Sequence, residues 1–178
     1  MAHEEQKEFC LKIKELYPDF FTSKMVLDVG SLDINGSNKT LFEKCIYFGM
    51  DIGPGPNVDI ISKAHEFEAT DGAFEVIIST ECFEHDMFYD KSLKNIVRML
   101  DSGGLFVFTC ATEGRPEHGT RRTSPQDAPL LTEDWSDYYK NLTEADIRAA
   151  IDVDSIFSTY AFEVNDKSKD LYFYGVKK

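Results

Sequence analysis

Basic residues are scarce in this sequence of 178 residues. Its 19 lysines and arginines face 32 aspartates and glutamates, which gives a formal net charge of −13. A protein that holds nucleic acid neutralises many phosphates with basic side chains. The charge therefore argues against a nucleic-acid partner, although it leaves open a single nucleotide or a charged small molecule as ligand.

Long apolar runs are also missing, and the first residues, MAHEEQKEF, are polar, so we expect neither a membrane span nor a secretory signal. The four cysteines are far apart and form no C-x-x-C pair, which favours a reducing cytoplasm. The four histidines show no metal-ligand spacing, so no metal is expected. These features predict a cytoplasmic globular protein.

The G-x-G-x-x-G fingerprint of dinucleotide-binding proteins is missing too. Residues 25–29 (MVLDV) predict a strand buried on both faces, but the Gly30 that ends it is followed by S-L-D. Asp28 and Asp33 flank this turn and would repel a pyrophosphate. A cationic ligand would tolerate them.

Residues 25–52 contain a strand, a glycine turn, a crossover and a second strand that ends at Asp51. This order is typical of the first half of a nucleoside-binding α/β unit. The Gly30 turn lets the backbone approach a ligand, and the Asp51 carboxylate can accept hydrogen bonds from both ribose hydroxyls.

Over about residues 25–111 the chain resembles class I S-adenosylmethionine-dependent methyltransferases. Asp28 and Gly30 match the acid and the first glycine of the family's motif I, and Asp51 matches its ribose-binding acid. The chain departs from the family where a longer loop, residues 31–37, replaces the close-set second and third glycines. The resemblance implies S-adenosyl-L-methionine as cofactor and S-adenosyl-L-homocysteine as product.

The remaining pattern agrees with the fold of that family, an α/β Rossmann-like fold. It has a mostly parallel seven-stranded sheet, a C-terminal antiparallel hairpin and helices on both faces. We expect residues 1–178 to form a single domain, with an N-terminal helical segment over 1–22 and a long active-site loop or lid over 112–141. Apolar periodicity predicts helices over 4–17, 87–100 (ended by Gly103 and Gly104) and 143–151, strands over 58–61, 74–80 and 105–110, and a hairpin over 156–164 and 171–176.

The resemblance also implies a cofactor site at the strand ends. Lys63 stands about where the family places an acid near the adenine amino group, so backbone groups of Ala64 and His65 are the predicted substitutes. Asp28 also has a purely structural interpretation, because an acid inside an apolar strand needs a partner. The candidate cofactor-binding residues are Asp28, Gly30, Ser31, Asp51, Ile52, Ala64, His65, Thr80 and Glu81.

His85, which follows the fourth strand, is the candidate general base, because histidine titrates near operating pH. Asp86 and His118 are the other catalytic candidates. A structural alternative stays open: Asp86 would cap the next helix and His85 would be a polar loop residue. Arg121 and Arg122 predict a contact with a substrate carboxylate or phosphate, or else ordinary exposed charges on the loop.

The sequence therefore predicts an S-adenosylmethionine-dependent methyltransferase with an unidentified acceptor. The small size favours a small molecule or a sugar over a macromolecule. One rival is a different nucleotide-using Rossmann enzyme, such as a short dehydrogenase; the missing fingerprint and the terminal hairpin count against it. The other rival is a non-catalytic member of the same fold that binds the cofactor or a partner. The acceptor atom and the oligomeric state stay open.

Overall fold

The computed structural model describes residues 3–178, without the side chains at 133 and 134. Its strands are β1 Met25–Val29, β2 Ile46–Asp51, β3 Ile60–Ile61, β4 Phe74–Thr80, β5 Leu100–Ala111, β6 Phe157–Asn165 and β7 Asp170–Lys177. They form one seven-stranded sheet in the order β3-β2-β1-β4-β5-β7-β6. The pairs among β1 to β5 are parallel, whereas β7 runs antiparallel to both β5 and β6. The predicted Rossmann-like methyltransferase fold with a terminal hairpin is confirmed.

The α-helices of the described residues are α1 Glu4–Leu16, α2 Tyr89–Met99, α3 Glu144–Ala150 and α4 Val153–Ile156. Helix α3 begins where the sequence offers a capping box: the Asp146 amide donates to Thr143 Oγ1, and the Thr143 amide donates to the Asp146 carboxylate at 2.9 Å. Among residues 3–178, no helix is long and apolar enough to cross a membrane.

Successive side chains of the central strands point to opposite faces of the sheet and build two separate cores. Leu27 and Ile77 pack on the face that carries α2 and α3. Val26 and Val76 pack on the other face with α1. Because both faces are covered, these strands are apolar along nearly their whole length, and their polar side chains gather at the ends.

The second helix ends earlier than the sequence predicts. Leu100 already pairs with Phe74 as the first residue of β5, so Gly103 and Gly104 lie inside the strand rather than at the end of the helix. The register shifts between Phe74 and Val76, and Gly103 adopts a φ of 75° at this irregularity. The glycines therefore accommodate a bulge at the start of β5, which the spacing alone does not distinguish from a helix stop.

The segment between β2 and β3 folds back tightly over Gly49. A Cβ added at Gly49 would lie 1.8 Å from the Asn57 carbonyl oxygen and 2.6 Å from Ser31 Oγ. The Gly49 amide also donates to Asp59 Oδ2 at 2.9 Å. The glycine therefore allows this segment to lie close to the end of β1.

We expect Gly49→Ala to lower the free energy of unfolding by roughly 3 kcal/mol or more, because the methyl group would overlap backbone. Gly103→Ala is the matched control: its φ is positive, but no atom lies within 4 Å of the added carbon, so we expect a loss of only about 1 kcal/mol. Urea denaturation measures both. Equal losses would contradict the steric account.

Candidate functional site

The carboxyl ends of β1, β2 and β4 open into one cleft. This is where ligands bind in open α/β sheets, because the chain leaves neighbouring strands in opposite directions there. Most of the predicted site residues line the cleft, namely Asp28, Gly30, Ser31, Asp51, Ile52, Ala64, Thr80, Glu81, His85 and Asp86. From the opposite side it is lined by residues 127–131 and Trp135 of the long loop.

Gly30 is the turn at the end of β1. Its φ is 79°, and an added Cβ would lie 2.5 Å from Cys82 Sγ. The Gly30 and Ser31 amides both donate to the Met50 carbonyl, at 2.9 and 3.1 Å. Glycine is therefore required at position 30 by its backbone conformation and by the close approach of Cys82. Its small size allows the turn after β1 and the segment after β4 to meet at the edge of the cleft.

Asp51 ends β2 and braces the opposite side of this turn. Its Oδ2 accepts from the Leu32 amide at 3.0 Å, and its Oδ1 accepts from the Ile52 amide at 2.8 Å. Burial raises the pKa of Asp51, while these two amides lower it. Each carboxylate oxygen can accept a second hydrogen bond, so the group remains able to bind a diol in the cleft.

Asp28 sits inside β1 and is buried. The Tyr47 hydroxyl donates to its Oδ2, whereas its Oδ1 has no partner among the described residues. Burial raises the pKa of Asp28 to about 7 against the effect of that hydrogen bond. The partner that such a buried acid needs is thus a side chain of β2. The free oxygen keeps a ligand contact open.

The end of β4 carries a backbone irregularity. Glu81 has a φ of 52°, a left-handed conformation that is unfavourable for a glutamate. Its amide donates to the Thr109 carbonyl, and its carboxylate accepts from Thr109 Oγ1 at 2.8 Å. Just before it, the Thr80 hydroxyl accepts from Asn38 Nδ2 at 3.0 Å. The irregularity turns the chain away from the sheet at the cleft.

The residues after Glu81 form a short 3-10 turn, Phe83–His85. His85 is buried, and neither ring nitrogen has a hydrogen-bond partner among the described residues. Burial first, and then the neighbouring His118, lowers the pKa of His85 to about 3, so the imidazole is neutral. Asp86 accepts from the Phe88 amide at 2.8 Å and from the Ser92 hydroxyl, so it holds the turn that leads into α2, but the N-cap residue of that helix is Phe88.

His118 does not line the cleft but lies directly behind His85. The two ring centroids are 5.1 Å apart with perpendicular planes. An added Cβ at Gly119, whose φ is 71°, would lie 2.6 Å from His85 Cε1 and 2.9 Å from the Ala128 Cβ. The long loop therefore packs tightly against the histidine that follows β4.

Of the two residues predicted to contact adenine, Ala64 and His65, only Ala64 lines the cleft. The His65 ring contacts Phe88 and stacks on Trp135 at 6.2 Å, outside the cleft lining. Ala64 does line the cleft, although its carbonyl already accepts from Asn95 Nδ2 at 2.7 Å. Lys63 points over the Trp135 ring and pairs with Glu66. Trp135 therefore holds this segment, which the sequence does not indicate.

Arg121 and Arg122 are not brought to the cleft. Arg121 Nε donates to Asp137 Oδ1 at 3.1 Å, and Arg122 Nη2 donates to Glu117 Oε1 at 2.9 Å. Their side chains are 68% and 57% exposed. The structure thus matches the alternative of exposed charges, with the added feature that both pairs lie within the long loop.

Two groups of residues near the cleft are not predicted from the sequence. Leu130 and Leu131 line it from the loop, and Glu84 is fully buried beside His85. The sequence offers two weak indications of these residues: the aromatic residues of the long loop, and an acid in the segment that follows β4. Neither gave a position relative to the strands.

A family model described as a methyltransferase domain matches residues 27–108. The matched segment runs from β1 into β5 and supplies the strand ends of the cleft. The match and the sheet order agree with the resemblance of this chain to class I methyltransferases. A comparison with curated proteins gives no match.

Solved structures share this fold at low sequence identity. The 1,6-didemethyltoxoflavin-N1-methyltransferase of Burkholderia thailandensis, with bound 1,6-didemethyltoxoflavin and S-adenosylhomocysteine, is 13% identical with a TM-score of 0.62, over 100% of this chain and 92% of that one. Haemonchus contortus phosphoethanolamine N-methyltransferase 2, in complex with S-adenosyl-L-methionine, is 15% identical with a TM-score of 0.66, over 96% and 52%. The [4+2]-cyclase SpnF is 13% identical with a TM-score of 0.56, over 85% and 60%.

The arginine pair gives a direct test of the long loop. We expect Arg121→Ala combined with Arg122→Ala to speed amide hydrogen exchange over residues 127–131 by roughly a few-fold, because exposed ion pairs contribute little each. Arg148→Ala, which removes an ion pair with Glu144 in α3, is the matched control. Unchanged exchange in the loop would show that these pairs do not hold it.

Proposed function

We propose that this chain is an S-adenosylmethionine-dependent methyltransferase that acts on a small molecule. The observation that carries the proposal is the pairing of the Gly30 turn and the Asp51 carboxylate across one cleft. In class I methyltransferases these two elements hold the nucleoside part of the cofactor. The cofactor and its product in the two methyltransferase structures support the same ligand.

The charge of the cleft supports a cationic ligand. Carboxylates of Asp28, Asp51, Glu81 and Asp86 line it, and each would repel a phosphate-bearing dinucleotide. A sulfonium or an ammonium group would instead favour their ionised forms. Because burial holds the pKa of Asp28 near 7, a cation bound close to it would draw that carboxyl toward its charged state.

In the proposed reaction, an acceptor atom attacks the methyl carbon in line with the sulfur. The bond from carbon to the acceptor forms as the bond from carbon to sulfur breaks, and S-adenosylhomocysteine leaves. The cleft would contribute alignment and exclusion of water, with residues 127–131 closing it from above. His85 and His118 mark the end where we place the acceptor.

Burial makes His85 poorly suited to act as a general base. A pKa of about 3 makes its imidazole a weak base at neutral pH. Its contribution in our proposal is therefore to position the acceptor through an unpartnered ring nitrogen. The loop residues 127–131 that cover the cleft support a small acceptor.

A second candidate is a member of the fold that binds the cofactor without transferring a methyl group. The structural likeness to a [4+2]-cyclase favours keeping it, since that enzyme carries out a different reaction on the same fold. A turnover assay with labelled cofactor and a metabolite mixture separates the two. Calorimetry with NAD beside S-adenosylmethionine tests the dehydrogenase alternative.

We expect Asp51→Ala to weaken S-adenosylhomocysteine binding by roughly thirtyfold, the equivalent of about 2 kcal/mol for a pair of charge-assisted hydroxyl contacts. Asp51→Asn should lose less, because one oxygen remains to accept. Isothermal calorimetry measures both, and circular dichroism checks the fold. Asp166→Ala, at a carboxylate 95% exposed in the hairpin turn, is the control. An unchanged dissociation constant in Asp51→Ala would remove this residue from the site.

We expect His85→Ala to lower turnover by about a hundredfold while the affinity for S-adenosylhomocysteine holds, because the substitution removes a contact that positions the acceptor. His65→Ala is the matched histidine control, since its ring lies outside the cleft. Turnover is measured with the acceptor found in the metabolite screen. Near-normal turnover would reject a catalytic part for His85.

A further inference from the structure

Glu84, His85 and His118 come together at the acceptor end of the cleft. One ligand atom from each lies within 4.8 Å of the other two. Glu84 is 0% exposed and His85 is 7% exposed, while the His118 side chain retains 13%. Two adjacent residues after β4 and one from the long loop thus form a compact set of one carboxylate and two imidazoles.

The polar atoms of this set are largely unsatisfied. Among the described residues, both carboxylate oxygens of Glu84, both ring nitrogens of His85 and Nε2 of His118 have no hydrogen-bond partner. Buried polar groups in folded proteins are almost always paired, and exceptions point to a water, an ion or a functional role. One ring nitrogen of the neutral His85 carries a proton, so four of these five atoms can offer lone pairs, which suits a ligand that accepts them.

The orientation of His118 suits a metal. Its Nδ1 lies 3.2 Å from the Pro116 carbonyl oxygen, so the N–H belongs on that nitrogen. The lone pair of Nε2 then faces the set, 3.9 Å from Glu84 Oε1. Metal-binding histidines usually donate their other N–H to a carbonyl or carboxylate in this way, which fixes the tautomer and the ring.

A second acidic set nearby shows the contrast. His3, Glu81 and Asp170 also converge, but Arg115 Nη1 donates to Asp170 Oδ1 at 2.9 Å and His3 pairs with both acids. That set therefore contains its own cations. Within residues 3–178, no lysine or arginine lies within salt-bridge distance of Glu84. Among the described residues, the first set therefore has no lysine or arginine to balance Glu84.

We propose that Glu84, His85 and His118 bind a divalent transition-metal ion, with Zn²⁺ as the first candidate. Two imidazoles and one carboxylate form a known zinc set that leaves a coordination position open. His85 lines the cleft, so the open position would face it. If the proposed function holds, an acceptor hydroxyl could bind there, lose its proton to solvent and attack the methyl carbon as an alkoxide.

The test uses the full chain after chelator treatment, without cofactor or acceptor. Co²⁺ is titrated in while visible absorption bands are followed, and Zn²⁺ then displaces it in competition with a chromophoric chelator. We expect stoichiometric binding and a raised Tm on adding Zn²⁺. Glu84→Gln and His118→Ala should each weaken Zn²⁺ binding by about a hundredfold or more. His65→Ala and His3→Ala should bind as the parent chain does.

Glu84→Gln keeps the shape of the side chain and removes its buried charge, so misfolding does not explain a loss of binding there. The proposal is overturned if the parent chain binds neither ion, if Glu84→Gln binds Zn²⁺ normally, or if His3→Ala alone abolishes binding, which would move the ion to the second set. Because the assay needs no methyl transfer, its failure leaves the proposed function standing. Failure to bind S-adenosylhomocysteine leaves the metal site standing.

Discussion

The two hydrogen bonds that Asp51 accepts hold together the edge of the sheet at which the cleft opens. They tie the loop after β1 to the end of β2 through the Leu32 and Ile52 amides. The same carboxylate is half-buried in the lining of the cleft, where its negative charge must be balanced. One group thus sets the shape of the cleft and biases it toward ligands that donate hydrogen bonds or carry positive charge.

Much of the fold is predictable from the sequence because the strands are buried on both faces. Apolar runs such as residues 74–80 have no competing interpretation as amphipathic helices. The Thr143 cap and the polar turn between β6 and β7 are local signals, and the structure places both where they predict. The bulge at Gly103 is not predictable from the sequence, since two glycines after a helix suit a helix stop equally well.

The site is predictable only where it follows strand ends. Gly30 and Asp51 lie at the ends of β1 and β2, so topology alone brings them together. His118 and the arginines belong to a loop without periodicity, whose path is fixed by packing at Gly119 and by ion pairs such as that of Arg122. No local pattern encodes those long-range contacts. This is why the sequence leaves the arginines open between a substrate contact and exposed charges, and gives no position for Glu84.

Gly119 limits which substitutions this sequence can accept. No side chain fits there without displacing the His85 ring or the Ala128 methyl group, although Gly119 itself does not line the cleft. A larger residue at 119 would require a compensating change at one of the other two positions. In related sequences the three positions are therefore expected to covary, and insertions in the loop should fall on either side of this contact rather than at it.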